Sequence, residues 1–172
     1  MSSRKGFRRS NGGASRHVST VGIAVFYRPY RSAMLALLRR APGLVPVDLG
    51  AVGEDIACKL KHLHPDAVLL DLPHSMMQPL IRLLRQAQPK LVIVALNCGE
   101  TEEDLLPLLE AGISGFVPNE ASDAQVLQTI RAALEGEVYC PPKIVAALIR
   151  RVQRSEETQG TGSTTNPQLT PR

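Results

Sequence analysis

Short apolar runs alternate with segments whose apolar residues recur every three or four positions. Val21 to Tyr27 (VGIAVFY) is an apolar, β-branched run with the length of a buried strand. Ser32 to Arg40 has helical spacing, ends in two arginines and meets Ala41-Pro42-Gly43, which stops it. Leu44 to Leu49 predicts a second strand. Pro46 lies within it and has no N–H to donate, which places that strand at a sheet edge. Glu54 to His64 predicts a helix, with Ile56, Leu60 and Leu63 on one face, acids leading and bases trailing. After a turn at Pro65-Asp66, Ala67 to Leu72 (AVLLDL) is apolar except for Asp71, as a strand covered on both faces requires.

The alternation continues. Leu80 to Gln88 predicts a helix and Leu91 to Leu96 (LVIVAL) a buried strand. Thr101, with Asp104 three residues on, predicts the cap of a helix that stops at Ala111-Gly112, and Pro107 should delay or bend its start. Gly115 to Pro118 is a short strand. Ser122 and Gln125 form a second capping box, opening a helix that runs to Glu135 and closes at Gly136. Pro141-Pro142 opens a last amphipathic helix carrying Ile144, Val145, Leu148, Ile149 and Val152. Five strand–helix alternations predict an α/β fold: one parallel sheet covered by helices on both faces, plus a C-terminal extra helix.

Composition narrows the class. A chain of 172 residues, 44% hydrophobic and 21% charged, fits a globular domain with tails and excludes a collagen-like or wholly disordered chain. No apolar run approaches the ~18–20 residues of a spanning helix, which excludes an integral membrane protein, and no membrane partner is expected. Three cysteines (58, 98, 140) make no paired framework and suggest a reducing compartment. The formal charge of +4 is unevenly placed: Arg4, Lys5, Arg8, Arg9 and Arg16 lie in residues 1–20, which hold no acid. Residues 1–20 are therefore expected to be a disordered basic tail, able to touch nucleic acid or anionic lipid or simply to be solvated. Residues 21–138 form the domain, 139–154 a connecting amphipathic helix, and 155–172, rich in Gly, Ser, Thr, Gln and Asn, a flexible linker.

In doubly wound sheets, sites form at the carboxyl ends of the strands, here Phe26 and Tyr27, Asp71, Asn97 and Asn119. No glycine-rich phosphate loop follows the first strand (FYRPYRS), and Ser32, His74 and Ser75 make no nucleophile elbow. Cys58 and His62 share a helix face and His64 lies off it, which falls short of a metal site. Met76-Met77 read as gap-fillers under a helix. No catalytic residue, metal site or enzymatic activity is expected.

Three segments carry a resemblance: HPDAVLLDL (64–72), LLEAGISGFVPNEAS (108–122) and IRAALEGEVYCPPKIVAALIRRV (130–152). Over about Val21 to Arg154 the chain resembles the receiver domain of a bacterial two-component response regulator of the NarL/FixJ (LuxR-type) branch. That resemblance implies a CheY/flavodoxin-like (βα)5 fold and a bacterial, cytoplasmic setting. Leu169-Thr170-Pro171-Arg172 is similar to the opening of the branch's helix-turn-helix domain, which implies DNA binding by a C-terminal domain absent from this chain.

The departures from the family pattern bear on function. The resemblance implies two adjacent acids at the end of the first strand, holding Mg²⁺ together with a phospho-accepting Asp. Here Phe26-Tyr27 replace the acids, followed by Arg28-Pro29 where the branch usually has His-Pro, while the acceptor is retained as Asp71. Asn97 replaces the Thr or Ser ending the fourth strand, Asn119 replaces the Lys ending the fifth, and His74-Ser75 and Pro79 replace the Met-Pro turn and later Gly. Phosphoryl transfer to a carboxylate needs its negative oxygens neutralised, and Mg²⁺ usually needs more than one carboxylate. A degenerate acceptor pocket with lost or weak Mg²⁺ binding is therefore expected. Asp71 would be held by backbone N–H groups or by a base such as Arg28, or would have its pKa raised by desolvation. Leu105, Leu106, Leu108 and Leu109 crowd one helix, and some of them are expected to stay exposed as an interaction face. Control through a homodimer, a regulatory protein or a small ligand is expected. The alternatives are a stand-alone interaction module without DNA binding, and a small enzyme on the same fold.

Overall fold

The structure is a computed structural model, and it describes residues 18–51, 56–138 and 140–160. A five-stranded sheet, parallel throughout, is built from β1 (Ser19–Val25), β2 (Leu44–Gly50), β3 (Ala67–Asp71), β4 (Val92–Cys98) and β5 (Gly115–Pro118). The spatial order is β2-β1-β3-β4-β5, so the winding reverses between β1 and β3. This is the doubly wound fold that the alternation predicts.

Residue alternation along the strands separates two cores. Val21, Ile23 and Val25 of β1, with Ala67 and Leu69 of β3, face α1 (Arg28–Arg40) and α5 (Asp123–Leu134). Ala24, Val68, Leu70, Ile93 and Ala95 face the opposite layer of α2 (Ile56–Leu63), α3 (His74–Ala87) and α4 (Glu102–Ala111). From Ala67 to Leu70, β3 is fully buried, which is why it reads as an unbroken apolar run. β2 is one of the two edge strands, and Pro46 sits in it opposite Val21.

Several boundaries differ from the sequence pattern. β1 begins at Ser19, inside the stretch expected to be tail, because Asp66 Oδ2 accepts the Thr20 N–H at 2.7 Å and Gly43 O accepts that of Ser19. α1 begins at Arg28 rather than Ser32, since Pro29 presets helical φ in the first turn. α3 begins at His74 rather than Leu80: Pro79 lies inside the helix, on an exposed face. α4 starts at its Thr101 cap, undelayed by Pro107; the Thr101 hydroxyl donates to Asp104 Oδ2 at 2.6 Å, and three acids sit in the first turn. The Ser122–Gln125 capping box forms as the pattern predicts. The last helix, α6, runs from Pro142 to Gly160, so residues 155–160, expected to be linker, are helical. Residues 1–17, Glu54, Asp55, Tyr139 and the Leu169–Arg172 motif lie outside the described residues.

Arg85 stitches the α3–α4 layer together. The Arg85 guanidinium donates to the carbonyls of Gly112, Pro89 and Leu91 and to Ser114 Oγ, and burial lowers its pKa. Gly112 ends α4 at φ +103, a left-handed conformation that suits glycine. The leucine face expected to be exposed is closed: Leu105, Leu106 and Leu108 are buried and Leu109 is half-buried. α6 lies over α4 and contributes Ile144 and Ala147 to the same core. Sequence periodicity counts apolar positions but does not show that a second helix covers them.

Candidate functional site

The winding reversal opens a crevice beyond the carboxyl ends of β1 and β3. Asp71 is the last residue of β3, in register with Val25, and its carbonyl accepts the Phe26 N–H at 3.1 Å. Its carboxyl is partly buried, and that burial raises its pKa above the ordinary 3.8, against an opposing hydrogen bond from Asn97.

Asn97 reaches Asp71 because of a backbone irregularity. The β4–β5 register shifts between Ala95 and Cys98, and Asn97 sits in the shift at φ +53. Asn tolerates this left-handed conformation better than most side chains, and a bulge turns its side chain off the strand's alternation. The Asn97 carboxamide stands beside both Asp71 and the Tyr30 hydroxyl, near enough to lower the pKa of each. Tyr30 lies in the first turn of α1, half-buried. Its pKa is raised by that burial first and then by the negative charge of Asp71.

Tyr30 is the residue that sequence reasoning missed. Its signal was present, an aromatic residue shortly after the first strand, but only a helix that begins at Arg28 aims it at the pocket. Phe26 and Tyr27, the expected occupants, point outward: they are 50% and 68% exposed and meet edge to face at 5.3 Å. Asn119, one residue past β5, is exposed, and among the described residues no hydrogen bond ties it to Asp71. Arg28 is also exposed, and no ion pair joins it to Asp71 among the described residues. The neighbouring cation, Arg31, is committed elsewhere: its Nε lies 3.2 Å from Asp48 and its Nη1 donates to the Val25 carbonyl.

Beside the pocket, a cavity of about 230 Å³ lies between the β4–α4 turn and the start of α3, lined in part by Leu72, Met77, Asn97, Cys98 and Asp104. Cys98 is buried, and its thiol is pushed up to about 12 by that burial, with the charges of Asp104 and Asp71 adding to it, so it stays a neutral thiol. On α2, His62 Nδ1 lies 2.8 Å from the Cys58 carbonyl, which engages the ring within its own helix. As a donor set for Mg²⁺ the crevice is poor. Asp71 brings one carboxylate; Asn97 and Tyr30 beside it are neutral. Among the described residues no group of three or more His, Cys, Asp or Glu is placed to hold a metal. No helix among them is long and apolar enough to cross a membrane.

No protein-family model matches the chain. Curated relatives do. The response regulator GacA of Pseudomonas viridiflava is 32% identical over 122 residues, covering 69% of this chain and 56% of the relative. The oxygen regulatory protein NreC of Staphylococcus aureus is 27% identical over 148 residues, covering 84% of this chain and 68% of the relative. Among solved structures, a LuxR-family two-component response regulator from Aurantimonas sp. SI85-9A1 superposes with a TM-score of 0.66 at 23% identity, covering 79% of this chain and 99% of that one. The chain thus spans little more than half the length of the GacA relative. With its 2-1-3-4-5 strand order and an aspartate ending β3, the chain is a response-regulator receiver domain of the LuxR/NarL family.

Proposed function

We propose that this receiver domain is an atypical input module that does not use phosphorylation of Asp71 as its switch. The observation that carries the reading is that Asp71, beside neutral Asn97 and Tyr30, is a single carboxylate with no cation paired to it among the described residues. An incoming phosphoryl group adds negative charge, and nothing described in the crevice offsets it: Arg31 is held by Asp48, and Asn119 carries no charge. The aromatic pair at positions 26 and 27 leaves the metal without two of its usual ligands.

On this reading the domain acts in the bacterial cytoplasm through protein contacts, as a homodimer or with a regulatory protein, or through a small ligand held near Asp71. It governs a DNA-binding helix-turn-helix domain that begins at or just after Leu169. The support for that last part is the Leu-Thr-Pro-Arg motif and the share of the relatives' length left unmatched. Incubation with acetyl phosphate and Mg²⁺, followed by intact-mass and peptide analysis, tests the reading. No stoichiometric adduct is expected, and full modification of Asp71 refutes it. In the downstream gene sequence, an in-frame glutamate and further helices after Arg172 are expected; a stop codon there favours the stand-alone interaction module instead.

A further inference from the structure

The α6 helix is held to the body chiefly through α4. Its apolar grip consists of Ile144 and Ala147, both buried, and half-buried Leu148. Its polar grip is two ion pairs: Arg150 Nη2 lies 3.1 Å from Glu102, and Arg151 Nε lies 2.6 Å from Glu110. The arginines are adjacent in sequence, whereas the glutamates sit at the two ends of α4, about 12 Å apart along a helix. The two adjacent arginines therefore tie α6 to both ends of α4. Both pairs are roughly half-exposed, so each is weak and sensitive to salt.

The connection between α5 and α6 turns at a glycine. Gly136 has φ +81, and no atom stands within 4 Å of where a Cβ would lie. Two backbone bonds pin the turn, Gly136 N–H to Ala133 O and Glu137 N–H to Ala132 O, and Val138 beyond it is exposed. Pro141-Pro142 then stiffens the entry to α6, with the Ile144 and Val145 N–H groups bonded to the Pro141 carbonyl.

We infer that α6 is a detachable clasp that a second copy of this chain can accept. Pivoting at Gly136, α6 of one copy lies across α4 of the other and gives up its own α4 in return. The exchanged contacts are those already present within one chain, so a closed two-fold dimer forms without any new complementary surface. The exchange places the end of each α6, nine residues past Arg151, beside the other copy's body. The inference rests on α4, α6 and the turn between α5 and α6, and stands whether or not Asp71 accepts a phosphoryl group.

Two charge-reversed forms of the full chain test it. R150E/R151E sets acids against Glu102 and Glu110; E102R/E110R sets bases against Arg150 and Arg151. Each form repels its own α6, but in an equimolar mixture each α6 finds its complement on the other copy. Native-state hydrogen exchange of residues 143–151 and light-scattering mass are the readouts. Alone, each variant should be monomeric, with α6 amides exchanging about tenfold faster than in the parent chain, the scale of losing two exposed pairs and gaining repulsion. Mixed, the two should show a dimer mass and regain protection. The quadruple variant, with both reversals in one chain, should regain protection by itself, which shows that the substitutions leave the fold intact. The inference is overturned if the mixture stays monomeric with fast-exchanging α6, if either double variant alone keeps full protection, or if parent α6 amides exchange only when the whole sheet opens.

Discussion

Asn97 is the position where the pocket can be probed most sharply, because its backbone and its side chain make separable contributions. The side chain stands beside one charged partner, Asp71, and one neutral one, Tyr30, and is itself exposed. Charge-assisted bonds contribute about 1.5–3 kcal/mol and neutral ones about 0.5–1.5 when buried, so this exposure puts the two interactions together near ~1 kcal/mol. The backbone sits at φ +53, where alanine is worse than glycine by about 1 kcal/mol. Asn97→Gly loses the interactions but relieves the backbone and should cost ~0.5 kcal/mol or less; Asn97→Ala loses the interactions and keeps the strain, costing ~1–1.5 kcal/mol. Urea unfolding at neutral pH resolves a gap of this size, which corresponds to a midpoint temperature difference of about 3–5 °C for a domain this long. The reasoning fails if alanine and glycine are equivalent, which would deny the left-handed backbone, or if alanine is neutral, which would deny the interactions.

Asp71→Asn should stabilise the protein at pH 7. The carboxyl's raised pKa means the folded state holds its proton longer than the unfolded chain does, so stability falls as pH rises through that window and the charged form is a net cost above it. The advantage of Asn should shrink as the pH falls toward 3.8, and a variant less stable than the parent at pH 7 would contradict the burial argument. Phe26→Asp with Tyr27→Asp should change unfolding midpoints by no more than about 0.5 kcal/mol, because both rings are largely exposed. Calorimetric titration of that double variant should detect Mg²⁺ binding that the parent lacks, and adding Tyr30→Phe should strengthen it by releasing Asn97. Leu105→Ala, at a fully buried site, should cost ~2–5 kcal/mol in urea unfolding, and half-buried Leu109→Ala distinctly less; equal small effects would restore the leucines as a surface.

The scaffold was legible because its causes are local. Apolar runs bounded by turns located all five strands, Pro46 marked the edge, and Thr101 and Ser122 marked their helix starts. What sequence concealed depended on tertiary placement. The sequence pattern starts α3 only at Leu80, yet the helix begins at His74 and holds Pro79 on an exposed face. Some of the four leucines of α4 look like surplus apolar surface in sequence because the helix that covers them comes about thirty residues later. In the pocket, Asp71 and Asn97 were found from their strand ends, but the irregularity that turns Asn97 toward Asp71 has no mark in the residue pattern. Tyr27 was given the place that Tyr30 takes, because the start of α1 was set four residues late.

The account depends most on the crevice being unable to recruit a divalent cation. Titrating Mg²⁺ into the isotopically labelled protein while following the amide signals of Phe26, Tyr27, Asp71, Leu72 and Asn97 tests this directly. The account predicts no saturable shift up to about 10 mM, as one carboxylate and two neutral groups imply. A saturable shift confined to those residues at a millimolar or lower dissociation constant would contradict it.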